Sequence, residues 1–91
     1  MKRVHVTVSG DVQGVGYRYT MQHVAQRSGV TGWVRNLRDG RVEAEVEGPD
    51  AAVDEVLAWM AEGPPGAHVS GAQVADTAPA GDTGFTVHRD G

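Results

Sequence analysis

A change of hydrophobic period near the start of the chain constrains its fold most strongly. Residues 3–9 alternate between valines and polar side chains, which predicts a β-strand with one buried face. From Tyr17 to Ser28 the apolar residues instead recur every three or four positions, which predicts an amphipathic helix. Gly29 suits the residue that ends this helix. The chain therefore begins with a strand, a short loop and a helix that can cover the buried face of the strand.

The remaining segments add one hairpin, one helix and two strands. Two alternating runs flank Asp39-Gly40, a favoured signal for a two-residue turn, and predict a hairpin. An apolar stripe with helical spacing begins near Pro49, which suits a first helical turn, and stops at the sequence G-P-P. The predicted elements are a hairpin at residues 30–48, a helix at residues 49–62, and strands at residues 68–76 and 84–89.

The order of these elements is β-α-β-β-α-β with a short extra C-terminal strand. It is typical of the ferredoxin-like α+β sandwich, in which two helices cover one face of an antiparallel sheet. The length of 91 residues fits a single domain over residues 1–91 with a modest core. The other face of the sheet, with His5, Thr7 and the glutamates of residues 43–47, is expected to face water.

Composition limits the partners that this chain can take. A net charge of −4 with dispersed basic residues argues against a general nucleic-acid binder. No apolar run approaches membrane-spanning length, and the N-terminus lacks the apolar segment of a signal peptide. The chain has no cysteine, which favours a reducing compartment. We expect a cytoplasmic protein with neither nucleic-acid nor membrane partners.

Glycine is concentrated between the first strand and the first helix, where residues 9–20 read S-G-D-V-Q-G-V-G-Y-R-Y-T. Free amides at a helix N-terminus bind anions, and glycines let the backbone close around them. Arg18 can add a two-pronged contact to phosphate oxygens. Neither nucleotide-binding pattern fits, because the Walker lysine is missing and Tyr19 replaces the last glycine of G-x-G-x-x-G. On the loop alone, a phosphate cradle and a merely structural turn remain open.

Two longer motifs carry a family resemblance. Residues 10–18, G-D-V-Q-G-V-G-Y-R, and residues 32–48, G-W-V-R-N-L-R-D-G-R-V-E-A-E-V-E-G, resemble the two signatures of the acylphosphatase family. The resemblance covers essentially the whole chain. It implies hydrolysis of a small-molecule acyl phosphate to a carboxylate and inorganic phosphate, without a metal or other cofactor. It also implies that phosphate is both product and inhibitor, and we expect a monomer.

The resemblance assigns roles to particular residues. Arg18 is expected to hold the phosphoryl group, and Asn36 to position the attacking water. A loose phosphoryl-transfer transition state needs positioning and charge stabilisation more than covalent help, which suits this division. The backbone amides expected to complete the cradle belong to Gln13, Gly14, Val15, Gly16 and Tyr17.

Other readings concern the activity and the remaining side chains. A phosphate- or carbamoyl-phosphate-binding module with little turnover is the alternative, since similar domains occur at the N-terminus of a hydrogenase maturation protein. We expect the stand-alone enzyme, and a ferredoxin-like RNA-binding module is disfavoured by the negative charge. Trp33 is predicted to lie in the core, while Tyr17 could lie in the core or border the acyl group. The four histidines are expected to face solvent rather than bind metal.

Asp11 departs from the family pattern, which usually has a basic residue after the first glycine. Its carboxylate is expected to point to solvent or to cap an amide. Asp11→Asn removes a negative charge near a bound dianion, so we expect KM for an acyl phosphate to fall, most visibly at low salt. The check is KM of both proteins across salt concentrations, and an unchanged KM throughout would contradict the idea.

Overall fold

The computed structural model describes residues Met1–Gly91 and has the predicted order of elements. Two helices lie with five strands, so the predicted ferredoxin-like fold is confirmed. The second helix begins one residue later than predicted, with Pro49 as its N-cap. The elements are β1 Lys2–Asp11, α1 Tyr17–Ser28, β2 Thr31–Asn36, β3 Val42–Gly48, α2 Asp50–Glu62, β4 His68–Thr77 and β5 Phe85–Val87.

The five strands form one sheet in the order β4-β1-β3-β2-β5. The pairs β1–β3, β1–β4 and β2–β3 are antiparallel, whereas β5 runs parallel to β2. Its position requires the chain after β4 to cross from one edge of the sheet to the other. The short C-terminal run of the sequence predicted a strand but not this direction.

One face of the sheet and one side of each helix form the core. Across β1 and β3, Val4 pairs with Val46 and Val8 pairs with Val42, so the predicted valine face is buried as one surface. Met21 and Met60 bring α1 and α2 into the same core. Burying apolar side chains contributes roughly 25 cal/mol per Å² removed from water. This packing fixes which face of the sheet the helices cover.

The hairpin between β2 and β3 is one residue longer than the favoured two-residue turn. The Leu37 amide donates to the Arg41 carbonyl over 2.8 Å, which leaves three residues in the loop. The Gly40 amide donates to the Leu37 carbonyl over 3.2 Å, and Gly40 has a φ of 96°. A turn followed by a left-handed glycine is a common three-residue loop. The Asp-Gly pair predicted the position of the turn correctly, but the predicted loop length of two residues was wrong.

Trp33 lies on the open face of the sheet and is half-buried, so its predicted core position was wrong. Its ring stacks on the His88 ring, with the two centroids 5.3 Å apart. The guanidinium carbon of Arg35 lies 5.4 Å from the centroid of the Trp33 ring. Alternation along β2 explains this position, because Gly32 and Val34 point to the buried face. The two neighbours of the Trp33 ring, His88 and Arg35, are therefore polar or charged rather than aliphatic.

Arg3 holds the crossing segment, residues 78–84, which runs from the β4 edge of the sheet to the β5 edge. Its side chain is only 2% exposed, and it contacts three carboxylates, those of Glu45 at 2.6 Å, Glu47 at 3.0 Å and Asp82 at 3.0 Å. Glu47 also accepts a hydrogen bond from the Ala80 amide at 2.7 Å. Charges buried this fully are tolerated when their partners satisfy them. The network fastens the crossing segment to the open face of the sheet.

The helices are short, and none is long and apolar enough to cross a membrane.

The network predicts acid sensitivity. The Ala80 amide and the Arg3 guanidinium donate to Glu47 and hold its pKa below the usual value of 4.5. A carboxyl with a lowered pKa in the folded state stabilises the protein above its unfolded pKa, and this stabilisation is lost as the pH falls through the folded pKa. We expect the free energy of unfolding of wild type to decline below about pH 5. Glu47→Gln should decline less steeply, as measured by urea unfolding from neutral pH downward. Equal slopes for both proteins would contradict this.

Candidate active site

The loop between β1 and α1 presents free amides at a helix N-terminus. Gly14 and Gly16 have φ values of 76° and 77°, and no side chain caps the helix. The helical hydrogen bonds begin when the Thr20 amide donates to the Gly16 carbonyl over 3.0 Å. Of the eleven backbone hydrogen bonds outside the helices and strands, none is donated by residues 13–16. This arrangement leaves the predicted cradle amides available to an anion.

The side chain of Gln13 ties this loop to the β2–β3 hairpin. Its Nε2 donates to the carbonyl of Leu37 at 2.7 Å and to that of Arg41 at 3.0 Å. Leu37 follows Asn36 directly. The sequence predicted only a backbone role for Gln13, and its side-chain role was missed because it depends on the folded hairpin.

Arg18 lies in the first turn of α1 with its side chain 28% exposed. Its Nη1 lies 3.3 Å from Oδ1 of Asp90 in the C-terminal segment. Its guanidinium carbon also lies 5.6 Å from the centre of the Tyr19 ring. An exposed ion pair of this kind contributes little to stability. The guanidinium therefore remains exchangeable between partners.

Asn36 is the last residue of β2 and is buried, with 7% of its surface exposed. Its carbonyl accepts a hydrogen bond from the Gly91 amide over 2.8 Å. Its side-chain Oδ1 is buried and has no hydrogen-bond partner. An unpaired buried polar atom costs free energy, so its presence in a native protein requires an explanation, such as a catalytic role or a bound water.

Arg18 and Asn36 both contact the last two residues of the chain. Arg18 contacts Asp90, and the Asn36 carbonyl contacts the next residue, Gly91. The structure therefore places the two predicted catalytic residues at the same end of the sheet. Asp90 was missed at the sequence level, because nothing local marks an acidic residue next to the C-terminus as part of a site.

Tyr17, whose position the sequence left open, belongs to the core. It is 2% exposed, and its hydroxyl donates to the Met60 carbonyl over 2.7 Å. Its ring lies 5.1 Å from that of Trp59. Burial raises the pKa of the Tyr17 phenol above its ordinary value. The side chain thus anchors the start of α1 to α2.

Asp11 ends β1 opposite His68 and is exposed. A shift in the pairing of β1 with β4 occurs just before it, between Ser9 and Gly10. Because the residue is exposed, its carboxylate takes the solvent-facing one of the two predicted positions. Its negative charge nevertheless lies directly before the loop between β1 and α1.

These features define a class of protein: an α+β sandwich with a small site suited to phosphate at the start of its first helix. Comparison with known proteins makes this class specific. A family model for acylphosphatase matches residues 4–87. The chain belongs to the acylphosphatase family and is a hydrolase of acyl phosphates.

Individual relatives match over nearly their full length. An acylphosphatase of Methylococcus capsulatus is 54% identical over 91 residues, which cover 99% of each chain. One of Haloquadratum walsbyi is 53% identical over 87 residues, which cover 96% of this chain and 94% of the relative. The crystal structure of acylphosphatase from Bacillus subtilis has a TM-score of 0.94 at 35% identity, over 97% of this chain and 99% of that one.

Gly16 offers a test of the loop. A side chain at its φ of 77° costs about 1–2 kcal/mol, although an added Cβ meets nothing closer than 3.9 Å. Gly81, with a φ of 72° and open space around it, provides a matched control in the crossing segment. We expect both alanine variants to lose similar stability in urea unfolding, while only Gly16→Ala weakens phosphate binding in calorimetric titration. Equal phosphate affinities for the two variants would count against the loop as the site.

Proposed function

We propose that residues 1–91 act as one cytoplasmic, monomeric enzyme domain in which the β1–α1 loop and Arg18 bind the phosphoryl group and Asn36 orients water. The observation that carries this proposal is the buried Oδ1 of Asn36, which has no partner within the protein. It lies at the same end of the sheet as the free loop amides and Arg18. An acceptor at this place is what the orientation of a water molecule requires, and a site that only binds phosphate does not need it.

The loop supplies fixed donors for the phosphoryl oxygens. Backbone amides at a helix N-terminus carry partial positive charge and need no rearrangement when an anion arrives. The Arg18 guanidinium adds a full positive charge and several donors. The amides that we assign to this cradle are those of Gln13, Gly14, Val15, Gly16 and Tyr17.

Asn36 accepts a hydrogen bond from the attacking water through Oδ1. The water oxygen forms a bond to phosphorus while the bond from phosphorus to the acyl oxygen breaks, and a carboxylate leaves. The proton released by the water goes to solvent or to the product phosphate. A carboxylate is a weak base, so it leaves without a general acid. The amide of Asn36 orients the water but cannot act as a base. Orientation is sufficient when the transition state is loose, because the nucleophile is then barely bonded to phosphorus.

The alternative is a module that binds phosphate or carbamoyl phosphate without turnover. The same amides and Arg18 would serve it, but it would not use the Asn36 side chain as an acceptor for water. Membership of the acylphosphatase family supports the enzyme. Free phosphate, as a product held by the same cradle, is expected to inhibit competitively.

Substitution of the two side chains tests the mechanism. With benzoyl phosphate and excess chelator, wild type is expected to hydrolyse the substrate, since the proposed chemistry needs no metal. Arg18→Ala and Asn36→Ala are each expected to lower kcat/KM by about 100-fold or more, the loss typical when one group that hydrogen-bonds in the transition state is removed. Loss of substrate is followed spectroscopically, and circular dichroism confirms that each variant is folded.

Arg27→Ala serves as the matched control, because Arg27 lies on the same helix at its opposite end and is exposed. Its kcat/KM is expected to equal that of wild type. Near-wild-type kcat/KM for Arg18→Ala would overturn the assignment of the phosphate residue. Phosphate binding without any hydrolysis in wild type would favour the binding module instead.

A further inference from the structure

The C-terminal segment of the chain, residues 88–91, continues along β2 beyond the end of β5. The His88 amide donates to the Val34 carbonyl over 2.8 Å, and the Gly91 amide donates to the Asn36 carbonyl over the same distance. These two hydrogen bonds hold the segment against β2 up to its last residue. The segment is therefore part of the wall of the candidate site.

Asp90 lies between these two anchored residues, and its carboxylate is directed to Arg18. The distance from Oδ1 of Asp90 to Nη1 of Arg18 is 3.3 Å. The Asp90 side chain is 64% exposed, so solvent and dissolved ions reach this pair. A carboxylate thus contacts the guanidinium that the proposed mechanism assigns to the phosphoryl group.

We infer that Asp90 is a further residue of the substrate site, where it competes with phosphate for Arg18 and lowers the affinity for substrate and product dianions. This inference rests on the proposed role of Arg18. When a dianion enters the cradle, the carboxylate gives up its contact with Nη1 or stays beside the dianion as a like charge. Both outcomes weaken binding, and weaker product binding limits inhibition by phosphate.

A purely structural role for the pair would give the opposite result. If Asp90 served to hold Arg18 in the orientation that binds phosphate, its removal would loosen phosphate binding. Exposed ion pairs contribute little to stability, and the segment has its own backbone hydrogen bonds to β2. The position of the chain therefore does not depend on the Asp90 carboxylate.

The experiment compares Asp90→Asn with wild type by calorimetric titration with inorganic phosphate. We expect the Kd for phosphate to fall roughly two- to fivefold at low ionic strength, the range set by the strength of an exposed ion pair. The gain should shrink as salt is added, because salt screens the interaction between exposed charges. KM for benzoyl phosphate is expected to fall in parallel.

Asp54→Asn is the matched control for the change in net charge. Asp54 is exposed on α2 and pairs with Lys2 at 2.8 Å, and Lys2 lies opposite Gly48 at the far end of the sheet. Asp54→Asn is expected to leave the Kd for phosphate and the KM for benzoyl phosphate unchanged. If Asp90→Asn behaves like Asp54→Asn, or if its Kd for phosphate rises, the inference is overturned.

A double substitution separates this inference from the proposed function. In an Arg18→Ala background, Asp90→Asn is expected to change the Kd for phosphate less than it does in wild type, because the contested guanidinium is gone. An equal gain in both backgrounds would overturn competition for Arg18. If Arg18→Ala alone leaves the Kd for phosphate unchanged, the proposed role of Arg18 fails instead.

Discussion

The antiparallel pairing of β1 with β3 is the constraint on which the rest of the structure depends. It places Val8 opposite Val42, and Val42 in turn lies opposite Asn36 on β2. A shift by one residue would turn every valine to solvent, so burial of this face fixes the register. The register places Asn36 at the end of the sheet where β1 leads into the glycine-rich loop. Core packing thereby sets the geometry of the site without supplying any of its chemistry.

A second, more distant set of contacts lets the C-terminus reach this site. The segment that follows β4 crosses to the other edge of the sheet, where Arg3 holds Asp82, and Glu47 accepts from the Ala80 amide. That crossing starts β5 beside β2, and parallel pairing carries the chain up to Asn36. The contacts of residues 80–82 at one end of the sheet therefore lie on the same path of the chain as the residues beside Asn36 at the other end.

The candidate site places unpaired polar groups between residues that are firmly anchored to the rest of the fold. Tyr17 fixes the start of α1 through a buried hydrogen bond to α2, and Gln13 fixes the loop to the hairpin. Between these anchors, loop amides and the Oδ1 of Asn36 remain without partners in the protein. Fixed donors and acceptors need no reorganisation when an anion binds, which is the property that electrostatic catalysis requires. The surrounding core and hydrogen bonds offset the cost of leaving these groups unpaired.

The sequence by itself determined the elements, their order and the buried face, because hydrophobic period and turn residues act between neighbours in the chain. It also marked the loop, Arg18 and Asn36, which lie within two contiguous motifs. The open-face position of Trp33, the direction of β5 and the presence of Asp90 beside Arg18 were decided only by the tertiary structure. Arg18 and Asp90 are 72 positions apart, and no local pattern specifies such a pair. Their contact exists because sheet pairing, rather than chain proximity, brings the two segments together.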